Sequence, residues 1–267
     1  MKKKIFALLT ACLLLLSLAA CGEEPAPAEP EVPEEPEETV LSLEGHSLQI
    51  YCGAGMTKPF QEIADSFAAE TGCDMTNIIY ANGGQTQSQI KTTEEGDYFI
   101  AGAATELEPV MDYVAGQKDL VKHIPVLAVP AGNPKGVTGL ASLAEEGVTM
   151  LMGDPVATPI GKIAKKALSD AGIFDKITLA ATTPTAPQMA TSLAEGAADA
   201  AIVWKENCKV EGVEIVDTPD LDKYVKTIPA ARLTCSDDAE AADAFLEFLG
   251  TDTAASIWEK YGYEVIG

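Results

Sequence analysis

The stretch GDPVATPIGKIAKKALSDAG, Gly153 to Gly172, decides the fold of this chain. Ahead of it, Val148-Thr149-Met150-Leu151-Met152 is a short apolar run with β-branched residues, which reads as a strand leaving a sheet. Gly153-Asp154-Pro155 turns the chain. Ile160, Ile163, Ala164 and Leu168 then recur at helical spacing, and Gly172 stands where a helix C-cap glycine belongs. The loop from a strand's carboxyl end to a helix's amino end is where open α/β sheets bind ligands. The first N–H groups of such a helix have no partner within it, and the positive end of the helix dipole lies behind them. They suit an anion.

The pattern repeats in both directions. Upstream, Leu43 to Tyr51 reads as a strand, Cys52-Gly53-Ala54-Gly55-Met56 as a small-residue turn, and the residues from Thr57 as a helix ended by Gly72. Its inward stripe is Phe60, Ile63, Ala64 and Phe67. Met75 to Tyr80 is a second strand, and Asn82-Gly83-Gly84-Gln85 leads into a helix; Asn-Gly is also a hairpin signal, but the helix-compatible run after it argues for the helix. Asp97 to Ala101 is a short buried strand. Glu106 to Ala115 is expected to be a helix with Leu107, Val110, Met111 and Val114 inward. Downstream, Ile177 to Ala181 is a strand, Thr183 to Pro187 a turn opening a helix, Ala200 to Trp204 a buried strand, and 237–249 and 253–261 closing helices. Asp237-Asp238 stand at the first helix start, where the dipole favours acids. Strands alternating with helices predict an α/β fold of two lobes, each a mostly parallel sheet flanked by helices. Crossings near 122–125 and within 224–233 divide the chain into lobe I, 43–123 plus 226–267, and lobe II, 124–225.

Composition narrows the function. The 267 residues carry a formal net charge of -23, against nucleic acid or an anionic membrane surface as partner. Arg232 is the sole arginine, so bidentate guanidinium clamps are scarce; His46 and His123 are the only histidines, which leaves little for a multi-His metal site or a Ser-His-Asp triad. Lys2 to Lys4 followed by the apolar 5–18 form an export signal over residues 1–20. The run is too short for a comfortable transmembrane span. Leu18-Ala19-Ala20-Cys21 resembles a bacterial lipobox, which implies cleavage before Cys21 and a lipid on its sulfur. Residues 21–42, rich in Pro and Glu at their start, are expected to be a solvated tether holding the folded part off the membrane. Cys52, Cys73, Cys208 and Cys235 form no C-x-x-C pair, and their spacing leaves disulfides or buried free thiols open.

From about Leu48 to Gly262 the chain resembles the bacterial molybdate/tungstate-binding proteins, solute-binding components of ABC transporters with a class II periplasmic-binding-protein fold. GMTKPFQEIADSFAAETG (55–72), GDYFIAGA (96–103), GDPVATPIGKIAKKAL (153–168), SLAEGAADAAIVW (192–204) and FLEFLGTDTAASIWEKYGY (245–263) carry the resemblance. It implies two lobes joined by crossover strands, a ligand in the cleft, closure by hinge motion, and capture without chemistry. The family holds a tetrahedral dianion mostly through backbone N–H groups at helix starts. Its first-loop serine falls on Gly55 and its second-loop serine on Gly83; its backbone donors fall on Ile160 and near Ala186; its ligand-binding tyrosine falls on Trp204. The expected ligand-binding set is therefore Gly55, Met56, Gly83, Gly84, Ile160, Gly161, Ala186 and Trp204, with no catalytic residue, resident metal or cofactor. Thr57, Gln85, Thr86 and Thr158 are the candidates to replace the missing hydroxyls. The resemblance further implies a lipid-anchored, extracytoplasmic monomer working with an ABC transporter permease. The alternatives are a different oxyanion or an organic solute stacked on Trp204, an enzyme using Asp97, Asp154 or Glu206, and soft-metal capture by Cys52, Met56 and Met152.

Overall fold

The computed structural model describes residues 41–156 and 158–266. The expected signal, the expected tether up to residue 40 and Cys21, the expected lipidation site, lie outside the described residues. The first half of the chain builds β1 (Ser47–Gly53), α1 (Thr57–Thr71), β2 (Asp74–Ala81), α2 (Gly83–Thr93), β3 (Tyr98–Ile100) and β4 (Val114–His123). There follow β5 (Pro125–Pro130), β6 (Thr149–Gly153), α3 (Pro159–Asp170), β7 (Thr178–Thr183), α4 (Ala186–Ala194), β8 (Ala200–Trp204) and β9 (Val213–Ile215). The chain closes with β10 (Lys226–Leu233), α5 (Ala239–Phe248), α6 (Asp252–Lys260) and β11 (Glu264–Val265). Two sheets result, ordered β11-β4-β10-β3-β1-β2 and β7-β6-β8-β5-β9. This is a two-lobed α/β fold.

Each sheet is mixed. In the first, β1 runs parallel to β2 and β3, while β10 is antiparallel to β3 and β4, and β11 to β4. In the second, β6 runs parallel to β7 and β8, while β5 is antiparallel to β8 and β9. The parallel expectation therefore holds for a trio of strands in each sheet. The antiparallel members include the long strands on either side of the passages between the sheets, from His123 to Pro125 and back into Lys226.

The helices form because apolar side chains at helical spacing bury against these sheets. Phe60, Phe67, Phe245 and Trp258 are nearly solvent-free in the first core; Phe67 and Tyr98 meet Phe245 edge-on with ring centroids 5.1 and 5.6 Å apart. Ile160, Ala164 and Leu168 anchor α3 in the second core with Met150, Leu151 and Ile202. Gly72 ends α1 in the left-handed conformation that glycine adopts without a Cβ penalty. Gly172 ends α3 as expected: it follows the cap Ala171 at φ +68° and donates to the Ser169 carbonyl, while Ile173 donates to the Leu168 carbonyl. Asp238 caps α5 by accepting from the Ala241 N–H, and also receives His46 Nδ1 at 2.9 Å.

The segment 106–115 differs from expectation. It holds short 3-10 turns, 104–106 and 108–113, not an α-helix. Val110 sits at φ -123°, which breaks the helical run, and from Val114 the backbone is committed to pairing with β10 as β4. Leu107 and Val110 are buried as expected, but Met111 is 49% exposed.

Candidate functional site

In both sheets the parallel strands end side by side and a helix starts just beyond. Gly53 of β1 is level with Ala81 of β2, and Gly153 of β6 with Thr183 of β7. The turns after β2 and β6 face each other across a cleft of about 750 Å³. Its wall is Asn82, Gly83, Gly84, Gln87 and Glu106 from the first half, and Asp154, Thr158, Pro159, Lys162 and 182–184 from the second. A second arm runs past Lys162, Lys166, Lys223 and Lys226 to Trp204 and Tyr224.

The first turns show which N–H groups a ligand can use. At α2 the Asn82 side chain accepts from the Gln85 N–H at 3.0 Å, and the Asn82 carbonyl takes Thr86. Among the described residues the Gly83 and Gly84 N–H groups have no acceptor. At α3 Thr158 Oγ1 accepts from Gly161 at 3.0 Å, Pro159 has no N–H, and Ile160 donates to no described residue. At α4 Thr185 accepts from Gln188, Pro187 has no N–H, and Ala186 donates to no described residue. The three starts thus share one design: an Asn or Thr cap takes the third N–H, as such caps do, and the earlier ones stay available.

The expected site residues divide accordingly. Gly83 and Gly84 are on the cleft wall, and Ile160 follows directly from the wall residues Thr158 and Pro159. Ala186 is buried two residues beyond the wall residue Pro184. Gly55 is exposed and open on its side-chain face, and lines neither arm. Two of the expected residues are engaged elsewhere. Gly161 spends its N–H on Thr158, and a Cβ there would stand 2.2 Å from the Asp154 carbonyl oxygen, so it is a glycine of close helix–strand packing. Met56 turns its side chain into the first core, its Cε against Gly53.

Trp204 borders the second arm at 7% exposure, and one face is already covered by His123, stacked with centroids 3.5 Å apart. His123 closes β4 and bridges the halves, meeting the Gly102 carbonyl through Nδ1 and the Glu206 carboxylate through Nε2, both at 3.0 Å. Glu206 is thereby engaged structurally. Asp97 is likewise engaged: it accepts from the Gln49 N–H and the Ser236 hydroxyl.

Of the residues proposed to replace missing hydroxyls, Thr57 and Thr158 donate to the carbonyls of Ala54 and Asp154, and Gln85 accepts from the Asn82 amide. Thr86 Oγ1 is buried without a partner among the described residues. Cys52 and Met56 lie in the first core and Met152 in the second, so the soft-metal set is not gathered; among the described residues no cluster of three metal-ligating His, Cys, Asp or Glu side chains occurs.

Sequence reasoning passed over Glu106. Its Oε2 accepts from the Gly102 N–H at 3.0 Å, and its carboxyl lies 2.8 Å from where a Gly83 Cβ would be. Burial pushes the carboxyl above the ordinary range, against the opposite pull of the Gly102 hydrogen bond and of the His123 and Lys162 charges. No local pattern marks a glutamate that reaches a glycine 23 residues earlier in the chain; only the 3-10 turn at 104–106 puts it there.

Known proteins resemble the chain in sequence and in fold. The chain is 32% identical over 185 residues, 65% of its own length and 74% of the other's, to a Haemophilus influenzae protein named "Putative binding protein". It is 24% identical over 237 residues, 84% of its length and 91% of the other's, to the molybdate-binding protein ModA of Escherichia coli. The structure titled "substrate binding domain of putative molybdenum ABC transporter from Clostridium difficile" superposes with a TM-score of 0.71 at 22% identity, covering 83% of this chain and 99% of that one, and so speaks to the fold alone. The model of the family described as bacterial extracellular solute-binding protein matches residues 48–264. That span includes both sheets but for their end residues Ser47 and Val265, and every residue of the cleft wall: the chain belongs to the bacterial extracellular solute-binding proteins, a family that captures solutes and is not one of enzymes.

Proposed function

We propose that the cleft captures a small tetrahedral oxyanion of the molybdate or tungstate kind and that the protein presents it to an ABC transporter permease. The observation that carries this reading is the pair of helix starts facing one gap, with the Gly83 and Gly84 N–H groups unclaimed on one side and that of Ile160 on the other. Such donors are fixed in direction and need no side-chain ordering, so they stabilise an anion without a formal cation. The cleft is larger than one tetraoxoanion, and hinge closure brings the two starts together on the ligand. In this reading Cys21 carries the lipid, residues 21–42 are the tether, and the captured anion is held outside the cytoplasm by a monomer.

The arm past Lys162, Lys166, Lys223 and Lys226 favours a second reading, an organic anion whose acid group sits at the helix starts and whose body extends toward Tyr224. A thermal-shift panel separates the two. Molybdate or tungstate at a hundredfold excess over its dissociation constant adds about 2.7 kcal/mol to stability. A rise with these anions and none with organic acids supports the first reading; a rise with organic acids alone overturns it.

A further inference from the structure

The cleft wall that offers unclaimed N–H groups also holds a carboxyl. Glu106 stands over the Cα of Gly83, beside the first donor of α2, and Oε1 has no hydrogen-bond partner among the described residues while Oε2 takes Gly102. Gly83, Gly84 and Glu106 line the same cleft, so an anion reaching the Gly83 and Gly84 N–H groups shares that wall with the carboxyl. Two ionised groups cannot share this place: a carboxylate only accepts hydrogen bonds, and so does a fully ionised oxyanion. One proton between them turns the repulsion into a hydrogen bond, donated by whichever group holds it.

We propose that the occupied cleft holds one proton between Glu106 and the oxyanion, so that Glu106 decides which protonation state of the ligand is captured. This rests on the oxyanion reading above. A fully ionised dianion requires Glu106 to take a proton from solvent, whereas an anion that retains a proton brings its own. The charged groups facing Glu106 are Lys162 from α3, His123 from β4 with Glu206 behind it, and Asp154 from the turn after β6. Lys162 and His123 favour the ionised carboxyl; Asp154 and the incoming anion favour the protonated one. Burial of the carboxyl acts in the same direction as the anion. Glu106 thus discriminates by an unfavourable contact as well as a favourable one, which a set of N–H donors alone does not do.

Calorimetric titration of the full chain with molybdate between pH 6 and 8.5, in buffers of different ionisation enthalpy, tests this. The expected result is uptake of one proton per anion and a dissociation constant that rises about tenfold per pH unit above the free carboxyl's titration. Glu106→Gln is expected to bind molybdate with no pH slope over this range, and more tightly than the native chain at pH 8, because its amide donates. Binding by the native chain with neither proton uptake nor pH slope overturns the proposal and leaves the oxyanion reading intact. No binding of molybdate, tungstate or sulfate at any pH overturns both. The native chain's proton count stands by itself should the Gln variant fail to fold.

Discussion

Replacing Gly83 by proline isolates a single donor. Gly83 is the first residue of α2, a position where proline's fixed φ suits the helix and its missing N–H costs no intrahelical bond. The residue before it, Asn82, is at φ -74° and ψ 156°, the extended conformation a following proline requires. The fold therefore accepts the change, and the shorter list of unfolded conformations adds stability of about 0.4–1 kcal/mol. Any new Cβ at 83 also meets the Glu106 carboxyl at 2.8 Å, the far end of a flexible side chain that can swing aside. Gly83→Ala makes that same contact and keeps the N–H, so it is the proper reference. A hydrogen bond to a charged group is worth about 1.5–3 kcal/mol, and at about 1.4 kcal/mol per factor of ten the proline variant should bind molybdate about 10- to 150-fold more weakly than the alanine variant. Calorimetry gives both dissociation constants, and melting temperatures check that both chains are folded. Equal affinity in the two variants, with melting temperatures preserved, would refute the assignment of the Gly83 N–H to the ligand.

Other consequences follow from the same geometry. Thr158→Ala removes the cap that takes the Gly161 N–H and should cost about 1 kcal/mol, read as a lower melting temperature or denaturant midpoint. Gly161→Ala pushes a methyl into the backbone of Gly153 and Asp154 and should cost about 1–3 kcal/mol; an unchanged unfolding midpoint would show that α3 can lift off β6 freely. Glu264 accepts from Lys205 and Lys122, and the Lys205 hydrogen bond holds its carboxyl below the ordinary range despite partial burial. Its contribution is therefore present above the ordinary glutamate value of about 4.3 and disappears as pH falls through the lower folded-state value. Glu264→Gln should flatten the acid limb of the stability curve, its loss relative to the native chain being largest near neutrality and vanishing at low pH; a pH-independent difference from the native chain would contradict this.

What could be read from the sequence was whatever short-range patterns impose. The buried stripe of α1, the apolar spacing and closing glycine of α3, the glycine turn into α2 and the two closing helices all rest on residues within one or two turns of each other. The segment 106–115 misled because Leu107, Val110, Met111 and Val114 fall at helical spacing, while the pairing that makes a strand of its end lies with β10, more than 100 residues away. Met56 and Gly161 sit beside turns that line or adjoin the cleft, yet their neighbours in space, Gly53 and the Asp154 carbonyl, engage them in packing. Trp204 was placed near the cleft, but the His123 ring that covers one of its faces comes from the other sheet. Long-range contacts of this kind carry no local signature.

The charge of the chain bears on why the site takes this form. At a formal net charge of -23 the surface repels anions on approach, but at physiological salt that field fades over about 8 Å. What remains at the cleft is local: the first turns of α2 and α3, Lys162, and the half-buried Glu106. Dipoles at helix starts act within a turn of the helix end and are little affected by charges elsewhere on the surface. A site made of them can sit in an acidic protein, where a cluster of exposed lysines would be drawn into pairs with neighbouring carboxylates. Lys166 and Lys223 show this, both reaching Asp170, while among the described residues Lys162 and Lys226 carry no ion pair. On the oxyanion reading, selection among anions then falls to Glu106, which with Asp154 supplies the carboxyls of the cleft wall. This makes Glu106, and not the number of positive charges, the group whose replacement should change what the cleft accepts.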